Sequence, residues 1–132
     1  MATVFGNVTG RRVYNDGRPL GAGVRNISDG TAHVQVHGQA GDVVILKDSD
    51  VQTHFNVGFP ISMQAVGNSV SVSFTLANHA LAMDKNPLVQ ANVPWANATT
   101  VAPGSIDAAP VNNFSCMKIV FTGTADFYIL GR

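Results

Sequence analysis

The sequence predicts an all-β protein: an antiparallel β-sandwich of the jelly-roll kind, with an extended N-terminal segment and at most one short helix. Three observations carry that reading. Ser69 to Ala77, Ser-Val-Ser-Val-Ser-Phe-Thr-Leu-Ala, alternates polar and apolar without a break and places Val70, Val72, Phe74 and Leu76 on one face. A period of two is what a half-buried strand requires, because successive side chains leave opposite sides of the pleat. Near the C-terminus, Met117, Ile119 and Phe121 alternate with Lys118, Val120 and Thr122; after a turn at Thr122-Gly123, Ala125, Phe127 and Ile129 alternate with Asp126, Tyr128 and Leu130. Finally, no segment between strands carries the helical pattern of roughly 10–15 residues that parallel crossovers need. Two antiparallel sheets packed face to face are the architecture that remains.

Composition narrows the function classes. At 132 residues the chain is long enough to bury a core without disulfide or metal staples. Residues 1–30 read as an arm or a set of edge strands, and residues 31–132 as the sandwich. Apolar residues make up 45%, too many for wholesale disorder. Charged residues make up only 12%, half of the ~25% usual in a soluble domain. Eight basic residues balance eight acidic ones and there is no glutamate, so little long-range field exists to steer a nucleic acid or an acidic membrane. Neither is expected as a partner. A surface of Ser, Thr, Asn, Gln and Gly suits a protein packed against neighbours. The single cysteine, Cys116, excludes a disulfide framework and a multi-cysteine zinc site, and its apolar strand makes it a small buried hydrophobe. The N-terminus has neither basic nor apolar signal-peptide regions, and no apolar run approaches the ~20 residues of a membrane span. Synthesis in a cytoplasm, with release by a route other than secretion, is the expectation.

Taken in order, the first thirty residues are interrupted by Gly6, Gly10, Gly17, Gly21, Gly23 and Gly30, and carry Arg11, Arg12, Arg18 and Arg25. They read either as short edge strands around Val4-Phe5 and Val24 to Ile27, or as an extended arm whose arginines pair with carboxylates on a partner. Ala32, Val34 and Val36 then alternate with His33, Gln35 and His37 in a half-buried strand ended by Gly38. Gly41-Asp42 turns the chain into the apolar run Val43-Val44-Ile45-Leu46, and the short interval suggests a hairpin. Residues 51–60 read as an irregular connection. Ile61 to Val66 is a strand, and Gly67-Asn68 is a turn of the primed-hairpin kind leading into Ser69. His79 to Lys85 is the one helix-like stretch, with Asn78 as its cap and Pro87 ending it soon after. Residues 88–113 form a long connection holding Trp95, with a short strand over Val89 to Trp95 and loop beyond. The last strand is apolar on both faces, which places it inside a sheet.

His33 and His37 stand about 13 Å apart along a strand, too far to share a metal, and read as a solvated or interface-facing pair. Asp48-Ser49-Asp50 lacks the glycine and glutamate that a calcium loop adds, and reads as a charged turn. Nothing brings two aspartates together for glycoside hydrolysis. There is no G-x-S-x-G nucleophile elbow, no phosphate-binding glycine fingerprint and no basic stripe. No catalytic residue, metal or cofactor is expected, and the protein is read as a non-enzyme. Trp95, between Pro94 and Ala96, is either a core residue or an exposed aromatic platform for a sugar or a partner. The candidate partner contacts are therefore Arg11, Arg12, Arg18, Arg25 and Trp95.

Val70 to Leu76, the stretch ending near Pro94-Trp95, and Met117 to Arg132 together give residues 61–132 a texture that resembles the jelly-roll cement (decoration) proteins on tailed-bacteriophage heads. That resemblance implies a structural virion protein on the outside of a phage head. It would bind the major capsid protein and copies of itself, as a homo-oligomer, with a terminal segment reaching to a neighbour. It carries no site residues over. The alternative is a carbohydrate-binding or receptor-binding β-sandwich module of a phage tail or fibre, working through Trp95.

Overall fold

The structure is a computed structural model that describes residues 3–5, 21–28, 31–51, 61–111 and 113–131. These contain ten strands: β1 (Thr3–Phe5), β2 (Gly21–Ser28), β3 (Thr31–Gly38), β4 (Val43–Lys47), β5 (Ser62–Val66), β6 (Val70–Thr75), β7 (Thr99–Val101), β8 (Ile106–Ala108), β9 (Cys116–Phe121) and β10 (Ala125–Gly131). Three single-turn helices join them: α1 (Asp48–Val51), α2 (His79–Ala82) and α3 (Pro87–Gln90). One five-stranded sheet runs β1-β4-β9-β6-β7 and the other β2-β3-β10-β5-β8.

The pairing is nested. β3 pairs with β10, β4 with β9, β5 with β8 and β6 with β7, all antiparallel. The chain from Thr31 onward is thus one long hairpin, rolled so that β10 also meets β5 and β9 also meets β6. That winding of eight strands is the jelly roll. β2 adds antiparallel to β3. β1 adds parallel to β4, departing from a purely antiparallel arrangement. The two are far enough apart in sequence for the long return that a parallel pair requires.

The alternating strands supply the core as their period demands. Val70, Val72 and Phe74 of β6 and Met117, Ile119 and Phe121 of β9 face Ala125, Phe127 and Ile129 of β10 and Val34 and Val36 of β3 across a dry interior. Phe74 and Phe114 pack tilted, with ring centroids 4.9 Å apart. β10 lies between two strands, as its apolar faces required, and β6 is likewise internal.

Both hairpins read from the turns are corrected. β3 and β4, like β5 and β6, lie in opposite sheets, so Gln39–Asp42 and Gly67–Ser69 are corners between layers. The turn residues are suited to either role. Gly41 (φ 85°) and Gly67 (φ 107°) supply the positive φ, and a Cβ on Gly67 would lie 2.8 Å from the Thr124 carbonyl oxygen. Asn68 Nδ2 donates to that oxygen at 2.8 Å and Thr122 Oγ1 donates to the Ser69 carbonyl at 2.6 Å, tying this corner to the β9–β10 corner.

Further departures fall at the ends of elements. Leu76 lies beyond β6 and is 81% exposed. Three helices stand where one was expected, although none exceeds one turn. Val89 to Trp95 is no strand; Asn86 caps α3 and Pro87 occupies its first turn. The supposed loop beyond it holds β7 and β8, each three residues long and each completing one sheet.

Candidate functional site

Antiparallel winding sends the short corners to one end of the sandwich and the long connections to the other. The longest described connection, residues 76–98, folds over the outer face of the β1-β4-β9-β6-β7 sheet. Its path is set locally. Asn78 Oδ1 accepts from Ala80 N–H at 2.8 Å, Asn86 Oδ1 accepts from Leu88 N–H at 3.0 Å, and each starts a turn of helix. Gln90 Nε2 donates to the Ala82 and Asp84 carbonyls, both at 2.7 Å, and ties the two turns together. The flap buries Ala82 and Val93 on Ile45 and Cys116, making a second apolar cluster on the far side of the sheet from the core.

Thr75 and Ser115, beneath this flap, are hydrogen-bonded. Thr75 Oγ1 donates to the Pro94 carbonyl at 3.1 Å and accepts from Ala77 N–H at 3.1 Å. Ser115 Oγ donates to the Thr75 carbonyl at 2.9 Å and lies close to that of Ala77. Cys116 is buried as expected, and burial, with the Asp48 carboxylate adding, pushes its thiol from the ordinary 9.0 up to about 11. A thiol so held is no nucleophile near neutral pH. Lys118, from the outward face of β9, sets its Nζ 5.0 Å from the centroid of the Trp95 ring, and burial lowers its pKa. Trp95 is therefore half-buried and already engaged by a cation.

The outer face of the other sheet carries no such cover among the described residues. Register arranges its side chains in rows across β3, β10, β5 and β8. One row is His33, Leu130, Ser62 and Ala108; the next is Gln35, Tyr128, Gln64 and Ile106; the third is His37, Asp126 and Val66. Ile106 is 71% exposed and Tyr128 40%. The second row, with His33, Leu130 and Ser62 of the first, borders a shallow, mainly apolar groove of about 360 Å³. Gln35 Nε2 lies 3.4 Å from the Tyr128 hydroxyl, and His37 Nδ1 lies 2.9 Å from Asp126 Oδ1.

Among the sequence-predicted contacts, Trp95 and Arg25 fall far apart in the fold: Trp95 on the flap, Arg25 on edge strand β2 of the opposite sheet. Arg11, Arg12 and Arg18 lie outside the described residues. His33 and His37 share the outer face of β3. Asp48, Ser49 and Asp50 form α1 instead of a calcium loop, with Asp48 Oδ1 accepting from Ser49 N–H at 2.8 Å and Asp50 Oδ2 from Lys47 N–H at 3.0 Å. His79 Nε2 is 3.1 Å from both Asp48 Oδ1 and the Ser115 carbonyl oxygen, so that nitrogen carries the hydrogen and donates. The nearby Ser115 hydroxyl is directed to carbonyls, and this His–Asp pair activates nothing there.

The bare rows around Tyr128 and Ile106 were missed in the sequence. Tyr128 and Leu130 were visible as the second apolar face of the last strand, but Ile106 sat in a segment read as loop. Among the described residues no three metal-ligating side chains cluster, and no helix is long and apolar enough to cross a membrane. No protein-family model and no curated protein matches the chain. The functional reading therefore rests on the jelly roll and on the contrast between its two outer faces.

Proposed function

We propose that this chain is a structural virion protein, a decoration protein that binds the outside of a tailed-phage head and stabilises contacts between capsid subunits. The observation that supports this most is the sheet face that the described residues leave without cover: an uncharged central row, Gln35-Tyr128-Gln64-Ile106, beside apolar Leu130 and Val66, on a jelly roll whose opposite sheet is already covered. Exposed apolar side chains ringed by polar ones are the makings of a protein interface. Binding only to assembled shells stabilises assembly by RT ln(1 + [L]/Kd) per site, multiplied over many symmetric copies. Copies of the chain itself are the second expected partner, as a homo-oligomer.

The test adds the full chain back to head particles stripped of it. Saturable binding at fixed stoichiometry and a raised capsid melting temperature are expected, and Ile106→Asp should abolish both while the isolated chain stays folded. A chain that sediments free of the particles, or binds without moving their melting, overturns the reading. A second reading, a carbohydrate- or receptor-binding module, draws support from Tyr128 lying between Gln35 and Gln64, an aromatic face flanked by amides. A glycan array separates the two, since only the second predicts saccharide binding that Tyr128→Ala removes.

A further inference from the structure

On the covered sheet, a cleft of about 760 Å³ lies between edge strand β1, the floor strands β4 and β9, and helix α3. Its apolar walls include Phe5, Ile45 and Trp95, and among the described residues its charged lining is two cations, Lys85 and Lys118, with no carboxylate. Lys118 is half-buried and rises from the outward face of β9 beside the second apolar cluster. Among the described residues it has a ring partner and no acidic one. The acid next to Lys85 in sequence, Asp84, accepts from Asn86 N–H at 2.8 Å.

Holding a partly desolvated ammonium without a counter-charge is costly, and a carboxylate brought to it recovers that cost as a charge-assisted hydrogen bond. β1 ends its sheet in the described order, so an extended segment of another chain can run along it. We propose that this cleft binds an extended acidic peptide segment of a partner protein, with Lys118 and Lys85 receiving its carboxylate and Phe5 and Trp95 packing on the neighbouring apolar side chain. The inference goes beyond the decoration reading and stands whether or not the partner is a capsid subunit.

Trp95 is the only tryptophan in the chain, so its emission reports on this cleft alone. The full chain is titrated with the blocked peptide Ac-Leu-Asp-Leu-NH2, with its asparagine counterpart, and with sodium propionate. The aspartyl peptide is expected to give a saturable change in emission, with affinity at least about tenfold above the asparaginyl peptide, which is the discrimination a single charge-assisted bond supplies. Propionate at equal concentration should give none. Lys118→Met should abolish the response, Lys118→Arg should keep it within a few-fold, and Lys85→Met should weaken it. Equal binding of the two peptides, an unchanged response in Lys118→Met, no saturable response at all, or propionate binding as well as the peptide would each overturn the proposal. A Lys118→Met chain that fails to fold leaves the decision to the peptide pair and to Lys118→Arg.

Discussion

The two sheets share a core but differ in what lies outside them. On the β1-β4-β9-β6-β7 sheet, residues 76–98 bury the outward side chains, and Ile45 and Cys116 are as inaccessible as the core proper. On the β2-β3-β10-β5-β8 sheet the outward Ile106 and Tyr128 reach solvent. A strand's inward residues are fixed by the need to fill the interior, whereas its outward residues are fixed by whatever covers that face. Among the described residues, one sheet finds its cover within the chain and the other has none over its outer face.

The largest test of this contrast lies within one strand. Phe127 and Tyr128 are neighbours on β10, one fully buried and one outward. Phe127→Ala should cost about 3–5 kcal/mol of stability, while Tyr128→Ala should stay within about 0.5 kcal/mol; denaturant unfolding measures both. A similar loss for both would mean that the second face is also packed. Two isoleucines repeat the comparison between sheets. Ile45→Ala, under the flap, should cost about 2–5 kcal/mol, and Ile106→Ala on the bare face about 0.5 kcal/mol or less.

A smaller effect is expected at a point of close approach between the layers. A Cβ on Gly38 would fall 2.5 Å from the Phe121 ring, so Gly38→Ala should cost about 1–3 kcal/mol through overpacking, read as a lowered unfolding midpoint. The smallest concerns pH and the covered face alone. The Cys116 thiol holds its proton in the folded state up to about 11, above its ordinary 9.0. Its contribution to stability is thus fully present below 9.0 and is lost as pH rises through about 11. Across that window the native chain should lose more stability than a Cys116→Ala variant does. Equal losses would mean that water reaches the thiol beneath the flap.

Much of this fold was legible in the sequence, because burial on one face writes a period of two. Val70-Ser-Val-Ser-Phe and Met117-Lys-Ile-Val-Phe gave their strands and inward residues directly. Pairing was not legible. Gly41-Asp42 and Gly67-Asn68 mark reversals, but a reversal within a sheet and a corner between sheets draw on the same turn chemistry. One partner of β3 is β10, about as far away in sequence as the domain allows. β7 and β8, at three residues each, are too short to display any period. The bare face stayed hidden for the same reason, since one of its corners is Ile106 on β8. Lys118 was visible as a polar residue in a strand, but the ring above it comes from a connection distant in sequence, and only tertiary packing brings the two together.

The nested ribbon also has a consequence for the order of events during synthesis. β10 is the last described strand to be made, yet it lies in the middle of its sheet, between β3 and β5. Until it emerges from the ribosome, the β2–β3 and β5–β8 pairs have no strand to join them, and that sheet exists only as two separate halves. Such a chain closes late, after an expensive search for distant partners, and must be kept from meeting another nascent copy in the meantime.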